Sequence, residues 1–110
     1  MNGSTATVEQ AVKLTDLVAY QIGAIVSKTL INQEGGSVTA FAFDEDQGLS
    51  EHIAPYDASV VVVEGEVEIK IAGLAHHLRE GEMIIMPANK PHALKAVTKF
   101  KMILIMIKSR

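Results

Sequence analysis

The chain has 110 residues, 48% of them hydrophobic and 21% charged, with a net charge of -3 and no cysteine. That balance fits one globular domain able to bury a core without a disulfide or structural metal, and it excludes a disordered chain. It also excludes thiol chemistry and thiolate metal sites. The lysines are scattered and form no basic stripe for nucleic acid.

The first residues lack the charged-then-apolar pattern of a signal peptide. The longest apolar run, residues 102–107, is far too short to span a bilayer as a helix. These features predict a soluble cytoplasmic protein with neither a nucleic-acid nor a membrane partner. A single domain over residues 1–110 is expected, with 1–20 as an N-terminal arm and 38–107 as the barrel core.

Residues 1–7 are small and polar and predict a loose arm. Residues 8–20 admit two readings. Thr7 and Gln10 have capping-box spacing, and Val8, Ala11, Val12 and Leu14 suit one helical face. A short strand at 12–14 with a turn at Thr15-Asp16 fits equally, and is preferred because the rest of the chain is β.

From Ile22 the β signal takes over. Residues 25–31 are rich in β-branched side chains, and Gly35-Gly36 marks a hairpin turn before a strand at 38–43. Residues 44–48 form an acidic loop, read as a solvated face. Residues 48–65 carry His52 and the run Val60-Val61-Val62-Val63, closed by Glu64-Gly65-Glu66. Residues 66–71 alternate, with Val67, Ile69 and Ile71 inward and Glu66, Glu68 and Lys70 outward. Short strands follow at 74–78, 82–86, 92–97 and 100–107. Eight or nine short strands with close turns predict an all-β sandwich or barrel. The last strand is apolar on both faces, so its outer face is expected to meet a second copy of the chain or its own N-terminal arm.

Two stretches resemble the cupins, small double-stranded β-helix (jelly-roll) barrels. The family's second motif, G-(x)5-P-x-G-(x)2-H-(x)3-N, is similar to the stretch from Gly81 through Pro87 and Asn89 to His92. Asn89 replaces the second glycine, a mild change because asparagine tolerates positive φ. Ala96 stands at the final asparagine. In the first motif, G-(x)5-H-x-H-(x)3,4-E-(x)6-G, His52 matches the first histidine and Gly65 the closing glycine. Ala54 stands at the second histidine and Ala58 at the glutamate. The chain also resembles short single-domain bacterial cupins with the same PHALKA and FKM-type tail.

The resemblance implies a jelly-roll fold and a ligand pocket at His52, Ala54, Tyr56, Ala58 and His92. It also implies a divalent metal (iron, manganese, nickel or zinc) held by His52 and His92, with no nucleotide or organic cofactor. Two imidazoles hold a metal weakly, so a third ligand is needed, and Asp57 is the candidate. Strand parity places His52, Ala54, Tyr56 and Ala58 on one face and Asp57 on the other, unless Pro55 breaks the strand. His76 and His77 are adjacent, point to opposite faces and have no expected chemical role. Met83, Met86, Met102 and Met106 read as core, with an adaptable ligand lining as the alternative.

Three functions follow from the resemblance. The first is a barrel binding a small organic ligand through the degenerate two-histidine site. The second is a metal-dependent dioxygenase- or isomerase-like enzyme using His52 and His92. The third is a dimeric binding or scaffold module without catalysis.

Overall fold

Nine strands and one 3₁₀ turn make up the regular structure of residues 8–108, the part of the chain that the computed structural model describes. The loose arm expected at 1–7, and Thr7 of the capping box, lie outside the described residues. The strands are β1 (Ile25–Gln33), β2 (Gly36–Phe43), β3 (Gly48–His52), β4 (Asp57–Glu64), β5 (Glu66–Ile71), β6 (Leu74–Arg79), β7 (Met83–Met86), β8 (His92–Ala96) and β9 (Phe100–Ile107). They form two sheets, ordered β1-β2-β9-β4-β7 and β3-β8-β5-β6. Every pairing is antiparallel. The expected all-β jelly roll is the fold this chain adopts. No helix among the described residues is long and apolar enough to cross a membrane.

Period-two alternation sets which residues fill the space between the sheets. β4 turns Ala58, Val60 and Val62 inward, β5 turns Val67 and Ile69 inward, and all five are buried. Phe43 and Phe100, fully buried, stack with ring centroids 4.5 Å apart. Burying each such side chain stabilises the fold by roughly 1.5–3 kcal/mol. This end of the barrel is shut by the β4–β5 turn, where Gly65 has φ +81°. A Cβ there would meet the Lys99 carbonyl oxygen and the backbone of Phe100, so both the conformation and the contact demand glycine.

The strand preferred at 12–14 is not formed. Leu14–Asp16 is a 3₁₀ turn, with the Asp16 N–H donating to the Lys13 carbonyl over 3.0 Å. The turn serves tertiary packing. It drops Leu17 and Val18 onto the outer face of β2, against Ala40 and Ala42, with Tyr20, Val26, Leu30 and Ile103 around them. Polar contacts then fasten the segment. The Tyr20 hydroxyl donates to Glu64 over 2.7 Å, and Lys101 Nζ donates to the Thr15 carbonyl over 2.6 Å. The ammonium groups of Lys101 and Lys99 lie 4.8 and 5.5 Å from the Tyr20 ring centroid. Burial, and then the hydrogen bond and charge of Glu64, push the Tyr20 phenol well above its ordinary range.

Among the described residues, the chain's own N-terminal segment covers the outer face of β9 at Lys101 and Ile103. Further along, Ile105 and Ile107 line a shallow surface groove with Ile85 and Ser59.

Candidate functional site

His52 ends β3 and His92 begins β8, and the two are direct cross-strand partners. Their meeting depends on an irregularity. From Leu49 to His52 the register advances three residues on β3, while its partner advances two, from Leu94 to His92. The extra residue is a bulge. Without it Leu49 and His52 would face opposite sides of the sheet; with it both line the barrel interior.

Each ring is aimed by the backbone. His52 Nδ1 donates to the Ser50 carbonyl over 2.8 Å, inside the bulge. His92 Nδ1 donates to the Lys90 carbonyl over 3.2 Å. The loop carrying Lys90 is fixed in turn. Asn89 adopts φ +67°, and its N–H donates to the Ala54 carbonyl over 2.8 Å. The Pro91 carbonyl accepts from the Ala72 N–H over 2.8 Å.

The consequence lies on the other side of the rings. His52 Nε2 and His92 Nε2 are 3.0 Å apart, with the rings edge-on at 73°. A carbonyl only accepts, so each Nδ1 carries the proton and each neutral Nε2 presents a lone pair. Two lone pairs aimed at one another are satisfied by a shared proton or by a cation placed between them. His92 is buried and His52 is exposed. Burial first, and then the charge of His52, hold the His92 imidazole below its ordinary pKa, against the opposing pull of the Lys90 carbonyl. Burial thus favours the neutral form of the ring.

Behind the pair is a cavity of about 70 Å³. Leu49 and Leu94 line it from the smaller sheet, and Met102 and Leu104 from the larger. Met86, Ala58 and Met106 form one row across β7, β4 and β9, and Ala54 sits with them in the lining. Ligand pockets run to about 300–1,000 Å³, and a cavity of about 150 Å³ takes benzene. This one accepts a ligand of only a few heavy atoms.

Of the residues expected at the site, the cavity brings together His52, Ala54, Ala58 and His92. Tyr56 and Asp57 do not line it. The chain leaves the strand over residues 53–56, at Pro55, so alternation does not carry through to Tyr56. Tyr56 instead lies with its ring centroid 6.0 Å from Lys108 Nζ. Asp57 points out of β4 and accepts the Ala88 N–H over 2.8 Å. It braces the loop before His92 and corrects the assignment of Asp57 as third ligand. Among the described residues no group of three or more His, Cys, Asp or Glu is placed to hold a metal. Sequence reasoning underrated Met86, Met102 and Met106, whose register on β7 and β9 turns them into the cavity.

The tandem histidines separate as alternation requires. Exposed His77 Nε2 meets half-buried Glu66 at 2.9 Å. His76 is half-buried, opposite Ile69.

The comparisons with known proteins agree with this architecture. The family model for the cupin domain matches residues 41–108. No curated protein matches the chain. A conserved protein of unknown function from Streptococcus pyogenes superposes with TM-score 0.89 at 34% identity, over 93% of this chain and 90% of that one. A cupin 2 conserved barrel domain protein from Leptotrichia buccalis is 39% identical with TM-score 0.80, over 83% of this chain and 44% of that one. A cupin superfamily protein from Desulfitobacterium hafniense shares the fold at TM-score 0.87 and 23% identity, over 92% of this chain and 93% of that one.

Proposed function

The chain belongs to the cupin domain family, and on that premise we propose that it is a small-ligand binding module whose His52–His92 pair holds a metal ion at the mouth of an apolar cavity. One observation carries the reading. The two Nε2 atoms stand 3.0 Å apart with both Nδ1 protons committed to backbone carbonyls. That separation is the span of two nitrogens each about 2.1 Å from one ion, at roughly a right angle. The residues do not fit the hard, carboxylate-containing complement that the resemblance implies. Ala54 and Ala58 carry no donor side chain, and Asp57 is engaged elsewhere. An ion on two imidazoles keeps open positions, and the cavity behind it suits a small organic or inorganic ligand that completes them.

The test is calorimetric titration of untagged, chelator-treated protein with divalent and monovalent transition-metal ions. Binding of one ion per chain, lost in His52→Ala and in His92→Ala, supports the reading. Metal-free protein that takes up no ion, or takes it up equally in both variants, overturns it. A ligand that binds only the folded state also raises Tm, which gives an independent readout.

We propose further that the part of the larger sheet's outer face around Ile85 and Ile105, exposed among the described residues, pairs with a second copy of the chain. Ile85 and Ile105 flank Ser59 in one row of that face, Met83 lies beside Val61 in the next, and Ile85 and Met83 are more than half exposed. Self-association buries such a patch. Sedimentation that gives the mass of one chain at micromolar concentration counts against it.

A further inference from the structure

We infer that the ion this cavity selects is soft and monovalent, with Cu(I) as the type, and that a methionine thioether beside Ala58 supplies its third ligand. The inference rests on the histidine-pair reading above and goes beyond it by naming the class of ion. Its ground is the donor inventory of the cavity. Among the described residues, the only side-chain heteroatoms in the lining apart from the two imidazoles are the sulfurs of Met86, Met102 and Met106. No carboxylate, amide or hydroxyl side chain among the described residues lines it. Three of the chain's five methionines are gathered there.

Their placement follows from register. Ala58 pairs with Met86 on one side and with Met106 on the other, so the smallest side chain of the row lies between two long thioether arms. Met86 is buried and Met106 half-buried, and both line the cavity that His52 and His92 line from the opposite sheet. Methionine is unbranched with three rotatable bonds, so its sulfur can swing within a cavity without a backbone shift.

Chemistry then decides between ions. Thioethers are soft ligands and select Cu(I), whereas magnesium, calcium and manganese need oxygen donors that this lining lacks. Imidazole serves zinc and copper alike, so the pair alone does not discriminate. The sulfurs do. The apolar wall adds to the preference, because a monovalent ion costs less to desolvate there than a divalent one.

The experiment compares Cu(I) and Zn(II) on the intact chain. Cu(I) is titrated anaerobically against a chromogenic Cu(I) chelator, and Zn(II) against a zinc indicator. The chain is tested as wild type, as the double variant Met86→Leu/Met106→Leu, and as His92→Ala. Leucine for methionine conserves volume, and an unchanged melting temperature confirms that the double variant folds. The inference expects Cu(I) affinity to fall about tenfold or more in the double variant while Zn(II) affinity stays within about threefold. X-ray absorption of the Cu(I) form is expected to show sulfur bonded to copper in the wild type and its loss in the double variant. Equal weakening of both ions, no weakening of either, or a nitrogen- and oxygen-only copper spectrum in the wild type overturns it. Should His92→Ala leave every ion's affinity unchanged, the histidine-pair reading fails too. Histidine-dependent but methionine-independent binding sinks this inference alone.

Discussion

The two ends of the barrel are built from the same strands and do opposite things. At the end shut by Gly65, Phe43 and Phe100 stack, and Val62, Val67 and Ala96 are buried with almost no exposure. At the other end the same strands present Ala58, Met106 and His92 around open space. The difference teaches where the chain has placed its stability and where it has given some up. A closed, dry end tolerates no added volume; a cavity edged by alanine and methionine does.

The largest effect is expected at the shut end. Gly65→Ala combines a left-handed φ with collision against the Lys99 carbonyl, and is expected to destabilise by about 3 kcal/mol or more in urea unfolding. A matched pair of substitutions sharpens the contrast. Ala96→Val, at a fully buried position, is expected to cost about 1–3 kcal/mol by overpacking. Ala58→Val adds the same two methyl groups beside the cavity and is expected to change stability by less than about 1 kcal/mol while weakening metal binding. Equal costs at the two positions would break the distinction between the ends.

The open end also predicts a pH dependence. His92 has a folded pKa below its unfolded value of about 6.5. As pH falls through that value the unfolded chain takes up the proton first, so stability drops on acidification and levels off below the folded pKa. Chemical denaturation between neutral and mildly acid pH is expected to show this slope, and His92→Leu to flatten it. The smallest effect belongs to His77, which is exposed and pairs with Glu66 outside both ends of the core. His77→Ala is expected to cost no more than about 0.5 kcal/mol, with metal binding unchanged.

Much of the fold was legible because alternation survives where strands are regular. Glu66–Ile71 and Phe100–Ile107 have the bounds their patterns indicated. Asn89 takes the positive φ that its place in the motif required. The N-terminal segment was misread because apolar residues at 12, 14, 17 and 18 suit several local structures. What selects the 3₁₀ turn is the exposed face of β2 that Leu17 and Val18 cover, and no local pattern reports a distant face. The site was half legible for a related reason. A bulge leaves no period in the sequence, so the turn of β3 that aligns Leu49 with His52 was invisible, and so was the departure from the strand that removes Tyr56. The methionines were recognised as apolar, but their convergence on one cavity depends on which strands flank β4.

The position of β9 has a consequence for synthesis. Of the nine strands it is made last, yet it lies between β2 and β4 in the larger sheet. Until it emerges from the ribosome, β1-β2 and β4-β7 are separate hairpin-sized fragments with unpaired inner edges. Such non-local pairing is slow to form. The nascent chain must therefore carry two open edges until β9 arrives, and a ribosome stalled before residue 100 would hold a chain prone to pair with its neighbours.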